Sequence, residues 1–350
     1  MFRETPKPTG PHKVGKTELH FVDENRDDPH VQDLSLQREF MVKIWYPADA
    51  NSYFESNVSR ESLRKTDCYI TTLKENLSKV FGMTKSTVEG LTKFKYNTVK
   101  NAKLSKAKKQ WPALIFSHGL GTSSDFYSIF LENIASHGYI VVAIDHTFSC
   151  DLSIFPGMRK VYDTKVFLPR KRKISLKRIL SEVFTNVDDV KFVIKELKKM
   201  NNADDENIGK YIDLDKVGIF GHSLGSSTAI EACRQENNIK AAAGWDGWVL
   251  GTSKEKFNKP VMILHAGTFD EKIYGDQKDE IEMFCDEMEN LCTEKTIKNA
   301  KHMAFTNAVM EKSYATKEAT GSINPYKAVK QISEATVEFF DKHLKERTSE

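Results

Sequence analysis

"KVGIFGHSLGSSTAIEACRQ", from Lys216 to Gln235, is the stretch on which the fold depends. Its first part is an apolar run typical of a strand buried on both faces, and its second part has the apolar spacing of a helix. Between them stands GHSLG, which has the form G-x-S-x-G with Ser223 at its centre. A sharp turn from strand to helix puts that serine in a strained backbone conformation, and the flanking glycines avoid a steric clash. The pattern therefore favours an exposed serine nucleophile over an ordinary Gly/Ser turn.

Strand and helix patterns alternate along most of the chain, which predicts a mostly parallel sheet with helices on both faces. Two stretches near the start, KTELHFVD and REFMVKIWYPAD, follow each other without a helix and predict an antiparallel beginning. The last helix is predicted to begin with Asn324 as its cap and Pro325 in its first position. The other predicted strands are PALIFSHG, YIVVAIDH, KVGIFGHS, IKAAAGWDG, PVMILHAG and TEKTIKNAKH.

We expect a single α/β domain over residues 1–350, with one segment that departs from the alternation. Residues 51–110 combine an amphipathic helical pattern with a lysine-rich tail, and they predict an inserted helical excursion. A lid over the site and a membrane-docking surface are the two open interpretations of this excursion. The apolar positions of that pattern are Ile70, Leu73, Leu77, Val80 and Phe81.

The composition is that of a globular protein with a large core and little net charge. Of 350 residues, 39% are hydrophobic and 29% charged, and the formal net charge is +3. So small a charge gives no support for nucleic acid as a partner. The N-terminal stretch lacks the apolar centre of a signal peptide, so we expect a cytoplasmic protein, or a secreted one if a leader has been removed. No stretch approaches the length of a membrane span. The scattered cysteines favour reduced thiols over disulfides or a metal site, and they are Cys68, Cys150, Cys233, Cys285 and Cys292.

A serine hydroxyl needs a base, and the base needs an acid that orients it. In this architecture the acid and then the histidine follow the nucleophile along the chain. His302 follows the last predicted strand, in NAKHMAF, where the base should lie. His265 ends a strand and His343 lies in the last helix, so these two are expected to have packing or surface roles.

Two aspartates are candidates for the acid. Asp246 ends the strand after the helix that follows Ser223, in GWDGW, and Asp270 follows the next strand, in HAGTFD. Many hydrolases of this architecture take the acid from the second location, so strand counting leaves both open. The short loop and the flanking tryptophans favour Asp246, whereas the following Glu271 and Lys272 favour a surface position for Asp270.

The oxyanion of an acyl-transfer reaction needs two amide donors. Leu224 follows the nucleophile, and Leu120 lies in the loop SHGLG after the third strand. His118 in that loop is placed to shape the oxyanion site and to bind substrate. No metal or organic cofactor is needed for this chemistry. Three aromatic residues near the expected site line the acyl pocket or belong to the core: Phe148, Trp245 and Trp248.

Several segments resemble a known family. They are WPALIFSHGLGTSSDFYSIFLENIASHGYIVVAIDHT, GIFGHSLGSSTA, GWDGW and TIKNAKHMAF, and they are similar to the platelet-activating factor acetylhydrolases of the plasma and intracellular type II kind and to their bacterial esterase relatives. The resemblance implies an α/β-hydrolase fold and a calcium-independent enzyme that cleaves short or oxidised acyl groups from phospholipids and other esters. It also implies that Asp246 is the acid, His302 the base, and Leu120 and Leu224 the oxyanion donors.

The expected function is therefore a serine carboxylic-ester hydrolase that forms an acyl-enzyme with a small ester or phospholipid substrate. The alternatives are a broader carboxylesterase, lipase or polyester hydrolase, and a non-catalytic binding protein with the same fold. The basic run PRKRKISLKR, Pro169 to Arg178, has two interpretations. One is a solvated loop, and the other is an anchor for anionic headgroups that brings the protein to a membrane surface.

Overall fold

The computed structural model describes residues 3–31, 36–50, 94–161, 175–250, 257–268, 277–311 and 314–345. Apolar runs in the sequence become strands of a nine-stranded sheet at the centre of the molecule. Nine of the strands in the described residues form this sheet, whereas β1 pairs with β4 and β8 with β9 in two small sheets. All the described strands are β1 (Arg3–Glu4), β2 (Lys13–Asp27), β3 (Gln37–Ala48), β4 (Phe94–Lys95), β5 (Val99–Lys100), β6 (Trp111–Ser117), β7 (Ile140–Asp145), β8 (Ser153–Ile154), β9 (Lys160–Val161), β10 (Ile212–His222), β11 (Ile239–Trp245), β12 (Val261–Ala266) and β13 (Cys292–Ile297).

The order of strands across this sheet is β13-β12-β11-β10-β6-β7-β3-β2-β5. The strands from β13 to β7 in that order run parallel to one another, whereas β3 is antiparallel to both β2 and β7. The central strands β6 and β7 are buried along their whole length, as their continuous apolar sequences require. The predicted α/β class, with its mostly parallel sheet and antiparallel start, is confirmed.

Helices cover both faces of the sheet and form two hydrophobic cores with it. They are α1 (Ser128–Ser136), α2 (Leu176–Asn202), α3 (Leu224–Gln235), α4 (Gln277–Met288), α5 (Tyr314–Thr320) and α6 (Pro325–Phe340). The buried side chains of α1 and α6 share one core, and those of α2 and α3 share the other. Asn324 caps α6 as predicted, since its side-chain oxygen accepts hydrogen bonds from the N–H groups of Tyr326 and Lys327.

The expectation of reduced thiols throughout is wrong for one pair of cysteines. Cys285 in α4 and Cys292 at the start of β13 form a disulfide, because the turn between them brings their Cα atoms to 5.2 Å. Cys150 and Cys233 are free and buried, as expected. Cys68 lies outside the described residues.

The predicted excursion over residues 51–110 is described only in its last part. Residues 51–93, with the predicted amphipathic helix, lie outside the described residues. Residues 94–110 are not helical: β4 pairs with β1, and β5 adds to the edge of the large sheet beside β2. Most of the basic run, up to residue 174, also lies outside the described residues. Within the described parts of the chain, no helix has the length and apolar character that crossing a bilayer requires.

Candidate active site

Ser223 occupies the sharp turn between β10 and α3. Its backbone has φ 56° and ψ −120°, a conformation that costs free energy for any residue with a Cβ atom. A Cβ atom at Gly221 would lie 2.1 Å from the carbonyl oxygen of Gly225, and one at Gly225 would lie 2.1 Å from that of Ser117. Only glycine fits at both positions, which is the physical reason for the G-x-S-x-G pattern.

Asp246 and His302 are in direct contact. Oδ2 of Asp246 lies 2.8 Å from Nδ1 of His302, and Oδ1 accepts the backbone N–H of Ala266 at 2.7 Å. Asp246 is 4% exposed, so this carboxylate is oriented by two donors inside the protein. With the Nδ1 proton donated to Asp246, Nε2 of a neutral His302 is the acceptor that a general base needs.

The strand register brings the serine to the same edge of the sheet as this pair. His222, which ends β10, pairs with Trp245, which ends β11, so Ser223 and Asp246 leave neighbouring strands side by side. The Ser223 N–H donates to the carbonyl oxygen of Trp245 at 2.9 Å. The imidazole of His222 lies 4.5 Å from that of His302, between ring centroids. The alternative acid, Asp270, lies outside the described residues.

The loop after β6 holds the peptide group of Leu120 in one orientation. The carbonyl oxygen of Gly119 accepts three hydrogen bonds. Nδ1 of His118 donates at 2.9 Å, and Thr122 donates twice, from Oγ1 at 2.7 Å and from its backbone N–H at 3.1 Å. Because this carbonyl and the Leu120 N–H belong to one planar trans peptide, fixing the oxygen points the N–H in the opposite direction. The N–H of Leu224, the first residue of α3, has no partner within its own helix.

His118 is fully buried, which excludes the substrate contact predicted for it. Its Nε2 accepts the backbone N–H of His146 at 3.0 Å, so Nδ1 carries the proton that is donated to Gly119. Burial and the nearby His146 lower the pKa of His118 to about 4, which keeps the ring neutral. His118 therefore holds the peptide between Gly119 and Leu120 in place, and its role in shaping an oxyanion site stays a prediction.

The three aromatic candidates fall in different environments. Trp245 is fully buried, and its Nε1 donates to Oγ1 of Thr336 at 3.0 Å, so it belongs to the core and not to a substrate pocket. Phe148 is partly buried, stacks on His30 and lines a cavity of about 60 Å³. Trp248 is partly buried and follows Asp246 by two residues, so its predicted contact with substrate stays a prediction.

A buried polar network behind the loop was not predicted from the sequence. Nδ1 of His146 lies 2.9 Å from Asp189 and its Nε2 lies 3.0 Å from Ser117, while Arg38 contacts Asp189 at 2.7 Å and Asp28 at 3.0 Å. Burial alone would raise the pKa of Asp189, but Arg38 and His146 lower it well below its usual range. These residues are far apart in the chain, so no local sequence pattern predicts their contacts.

No group of three or more His, Cys, Asp or Glu side chains within the described ranges is arranged to hold a metal ion.

Comparisons with known proteins give a family and several relatives. The family described as platelet-activating factor acetylhydrolase, isoform II, matches residues 2–155 and 170–349. A platelet-activating factor acetylhydrolase of Cavia porcellus is 26% identical over 317 residues, which cover 78% of this chain and 65% of that protein. One of Gallus gallus is 23% identical over 279 residues, which cover 68% of this chain and 63% of that protein. The chain thus spans less than two thirds of the length of these relatives.

A solved structure shares the fold. The ferulic acid esterase from Streptomyces cinnamoneus superposes with a TM-score of 0.75 at 23% sequence identity. The superposition covers 100% of this chain and 95% of that one, so the whole architecture is that of an α/β-hydrolase.

Proposed function

Since the chain belongs to the family of platelet-activating factor acetylhydrolases, isoform II, we propose that it is a serine hydrolase that cleaves carboxylic esters. Its substrates are small esters or phospholipids with a short or oxidised acyl group. The observation that carries the proposal is the Asp246–His302 hydrogen bond of 2.8 Å at the edge of the sheet where the strained Ser223 lies.

In the proposed reaction, His302 takes the proton of the Ser223 hydroxyl while Asp246 stabilises the imidazolium that forms. The serine oxygen attacks the ester carbonyl, and the N–H groups of Leu120 and Leu224 stabilise the oxyanion. His302 then gives its proton to the leaving alkoxide, and an acyl-enzyme remains. A water molecule that His302 deprotonates releases the carboxylic acid and restores the serine.

Replacement of the nucleophile tests the proposal directly. Ser223→Ala should lower kcat for p-nitrophenyl acetate by a factor on the order of 10⁴ or more, because it removes the attacking atom. It should also abolish covalent labelling by a fluorophosphonate. Ser333→Ala, which changes a fully buried serine in α6, is the control and should keep both. A Ser223→Ala protein with most of its activity would show that the proposal is wrong.

The identity of the acid has its own test. Asp246→Asn should lower kcat by a factor on the order of 10⁴. The asparagine neither stabilises the imidazolium nor holds the neutral His302 in the tautomer with its proton on Nδ1. Asp270→Asn should leave kcat nearly unchanged. A larger loss for the second variant would move the role of the acid to Asp270.

The substrate class is tested by a series of p-nitrophenyl esters that differ only in acyl length. We expect kcat/KM to fall sharply beyond a few carbons. A flat profile into long acyl chains would favour a broader carboxylesterase or lipase instead. A second series of choline phospholipids that carry the same acyl groups shows whether the headgroup contributes to binding.

A further inference from the structure

Tyr127 and His222 connect two parts of the site that lie far apart in the chain. The hydroxyl of Tyr127 lies 2.9 Å from Nδ1 of His222, 3.1 Å from the N–H of Gly119 and 3.0 Å from Oγ1 of Thr122. The other ring nitrogen of His222, Nε2, lies 3.1 Å from the carbonyl oxygen of His302. Tyr127 is fully buried and His222 is 2% exposed.

The directions of the hydrogen bonds from Gly119 through Tyr127 and His222 to His302 follow from their partners. A carbonyl oxygen only accepts, so Nε2 of His222 carries the proton and donates to His302. Burial and the neighbouring His302 lower the pKa of His222 well below its usual value, so the ring is neutral and Nδ1 is an acceptor. The hydroxyl of Tyr127 therefore donates to Nδ1, and its oxygen accepts the Gly119 N–H. The bonds all run from Gly119 towards His302, and hydrogen bonds aligned in this way strengthen one another.

The two ends of this chain are the parts whose positions matter for the reaction. Gly119 precedes Leu120, the proposed oxyanion donor, and His302 is the proposed base. The loop also packs closely against the nucleophile, since a Cβ atom at Gly119 would lie 3.2 Å from Cβ of Ser223 and 3.3 Å from Nδ1 of His222. A misplacement of about 1 Å at such a site can cost about 10²-fold in rate.

We infer that Tyr127 and His222 are positioning residues, which hold the oxyanion loop and the backbone of the base in a fixed relation. This inference rests on the proposed ester hydrolysis and adds to it two residues that transmit position without contacting the reacting atoms. A purely structural role would make the same hydrogen bonds contribute to stability alone, so the test must separate the two.

Tyr139 provides a matched control for the loss of a buried tyrosine hydroxyl. It is fully buried as well, and its hydroxyl donates to Oδ1 of Asp341 at 2.6 Å. It lies directly before β7, at the edge of the sheet opposite to Ser223. Tyr139→Phe therefore removes a comparable hydrogen bond away from the site.

The first measurement compares Tyr127→Phe with Tyr139→Phe. For p-nitrophenyl acetate, Tyr127→Phe should lower kcat about tenfold or more, since a weakened oxyanion site costs up to about 10²–10³. KM should change little, and labelling by a fluorophosphonate should slow in parallel with kcat. Tyr139→Phe should lower the urea midpoint of unfolding without changing kcat or labelling. Unchanged kcat and labelling in Tyr127→Phe, with a lower unfolding midpoint, would overturn the inference.

The second measurement asks whether the two residues act as one link. The carboxamide of His222→Gln can donate to the His302 carbonyl, but it offers Tyr127 no acceptor at the place of Nδ1. The double variant with Tyr127→Phe should therefore lose no more kcat than the more damaged single variant, whereas independent roles would multiply the two losses. Multiplied losses would contradict a single link. If the wild-type protein hydrolyses no ester, or Ser223→Ala is as active as wild type, the proposed function itself fails, and that result is distinct from either outcome above.

Discussion

At the scale of single residues, His118 shows how a neutral, buried imidazole can set the geometry of a loop, here the one that carries Leu120. It accepts from the backbone of His146 and donates to the carbonyl of Gly119, which fixes the peptide that carries the Leu120 N–H. A protonated ring could not accept from His146. The loop therefore keeps this geometry only while Nε2 of His118 is unprotonated.

This requirement predicts a pH dependence of stability. The pKa of His118 is about 4 in the folded protein against an ordinary 6.5, so between these values the unfolded chain binds the extra proton. The contribution of neutral His118 to the free energy of unfolding is complete above pH 6.5 and is lost as the pH falls to about 4. The free energy of unfolding in urea, measured from pH 8 to pH 4, should fall further in wild type than in His118→Gln, by up to about 3 kcal/mol.

His146 and His222 also have lowered pKa values, but both variants retain them, so their effects largely cancel in the difference. Parallel curves for wild type and His118→Gln would show that the protonation of His118 is not linked to folding.

What could be predicted at the residue scale depended on local signals. Ser223 stands between glycines whose Cβ atoms would collide with backbone, and such a constraint is visible as a motif. Asp246 and His302 follow strand ends, where side chains converge in a parallel sheet. Tyr127 carries no such signal, because its spacing is that of a core position and its hydroxyl meets His222 only in the folded chain. The choice of core or pocket for Trp245 likewise needed the packing of α6, whose Thr336 accepts its N–H.

At the scale of elements, buried charge ties β3 to α2. The guanidinium of Arg38 is fully buried and hydrogen-bonded to Asp189 on α2, to Asp28 and to the carbonyl of Thr147. The strand was predicted from its alternating apolar residues, but its contact with α2 through charges was not. Periodicity describes which face of an element is apolar and says nothing about ions that pair across it.

Arg38→Met should therefore lower the free energy of unfolding by about 3–5 kcal/mol, because it leaves the Asp189 carboxylate buried without its main partner. Arg159→Met is the matched control: its side chain is 50% exposed and pairs with Glu39, so its loss should cost less than about 1 kcal/mol. Urea unfolding at neutral pH measures both. Equal effects of the two variants would mean that the buried ion pair contributes no more than a surface one.

The elements that escaped prediction share a physical cause. β4 and β5 have two residues each, and α5 has seven, so none is long enough to show a period. Their formation depends on neighbours: β5 pairs with the edge of β2, and α5 packs beside the turn that begins with His302. The Cys285–Cys292 disulfide joins α4 to β13, and a separation of seven residues alone does not show that the thiols meet.

At the scale of the whole molecule, one sheet with a core on each face predicts that the chain unfolds as a unit. β10 lies inside that sheet between β11 and β6, and it leads into the turn with Ser223. Phe340, at the end of α6, is fully buried on this strand, where a Cβ atom at Gly218 would lie 2.5 Å from its ring. Damage at this contact should reach both cores and the site together.

Phe340→Ala should lower the free energy of unfolding by about 3–5 kcal/mol through the lost burial and the cavity that remains. Phe184→Ala, at a position on α2 that is 42% exposed, should change it by about 0.5 kcal/mol or less. Far-UV circular dichroism, tryptophan fluorescence and ester hydrolysis, followed through the same urea series, should give one midpoint in each protein, shifted equally for all three signals by Phe340→Ala. If hydrolysis were lost well before the secondary structure, or if fluorescence showed two transitions, the prediction of a single domain would be wrong. Such a result would mean that the contact of α6 with β10 stabilises the site and its own face of the sheet only. The face covered by α2 and α3 would then remain folded after the face covered by α1 and α6 had opened.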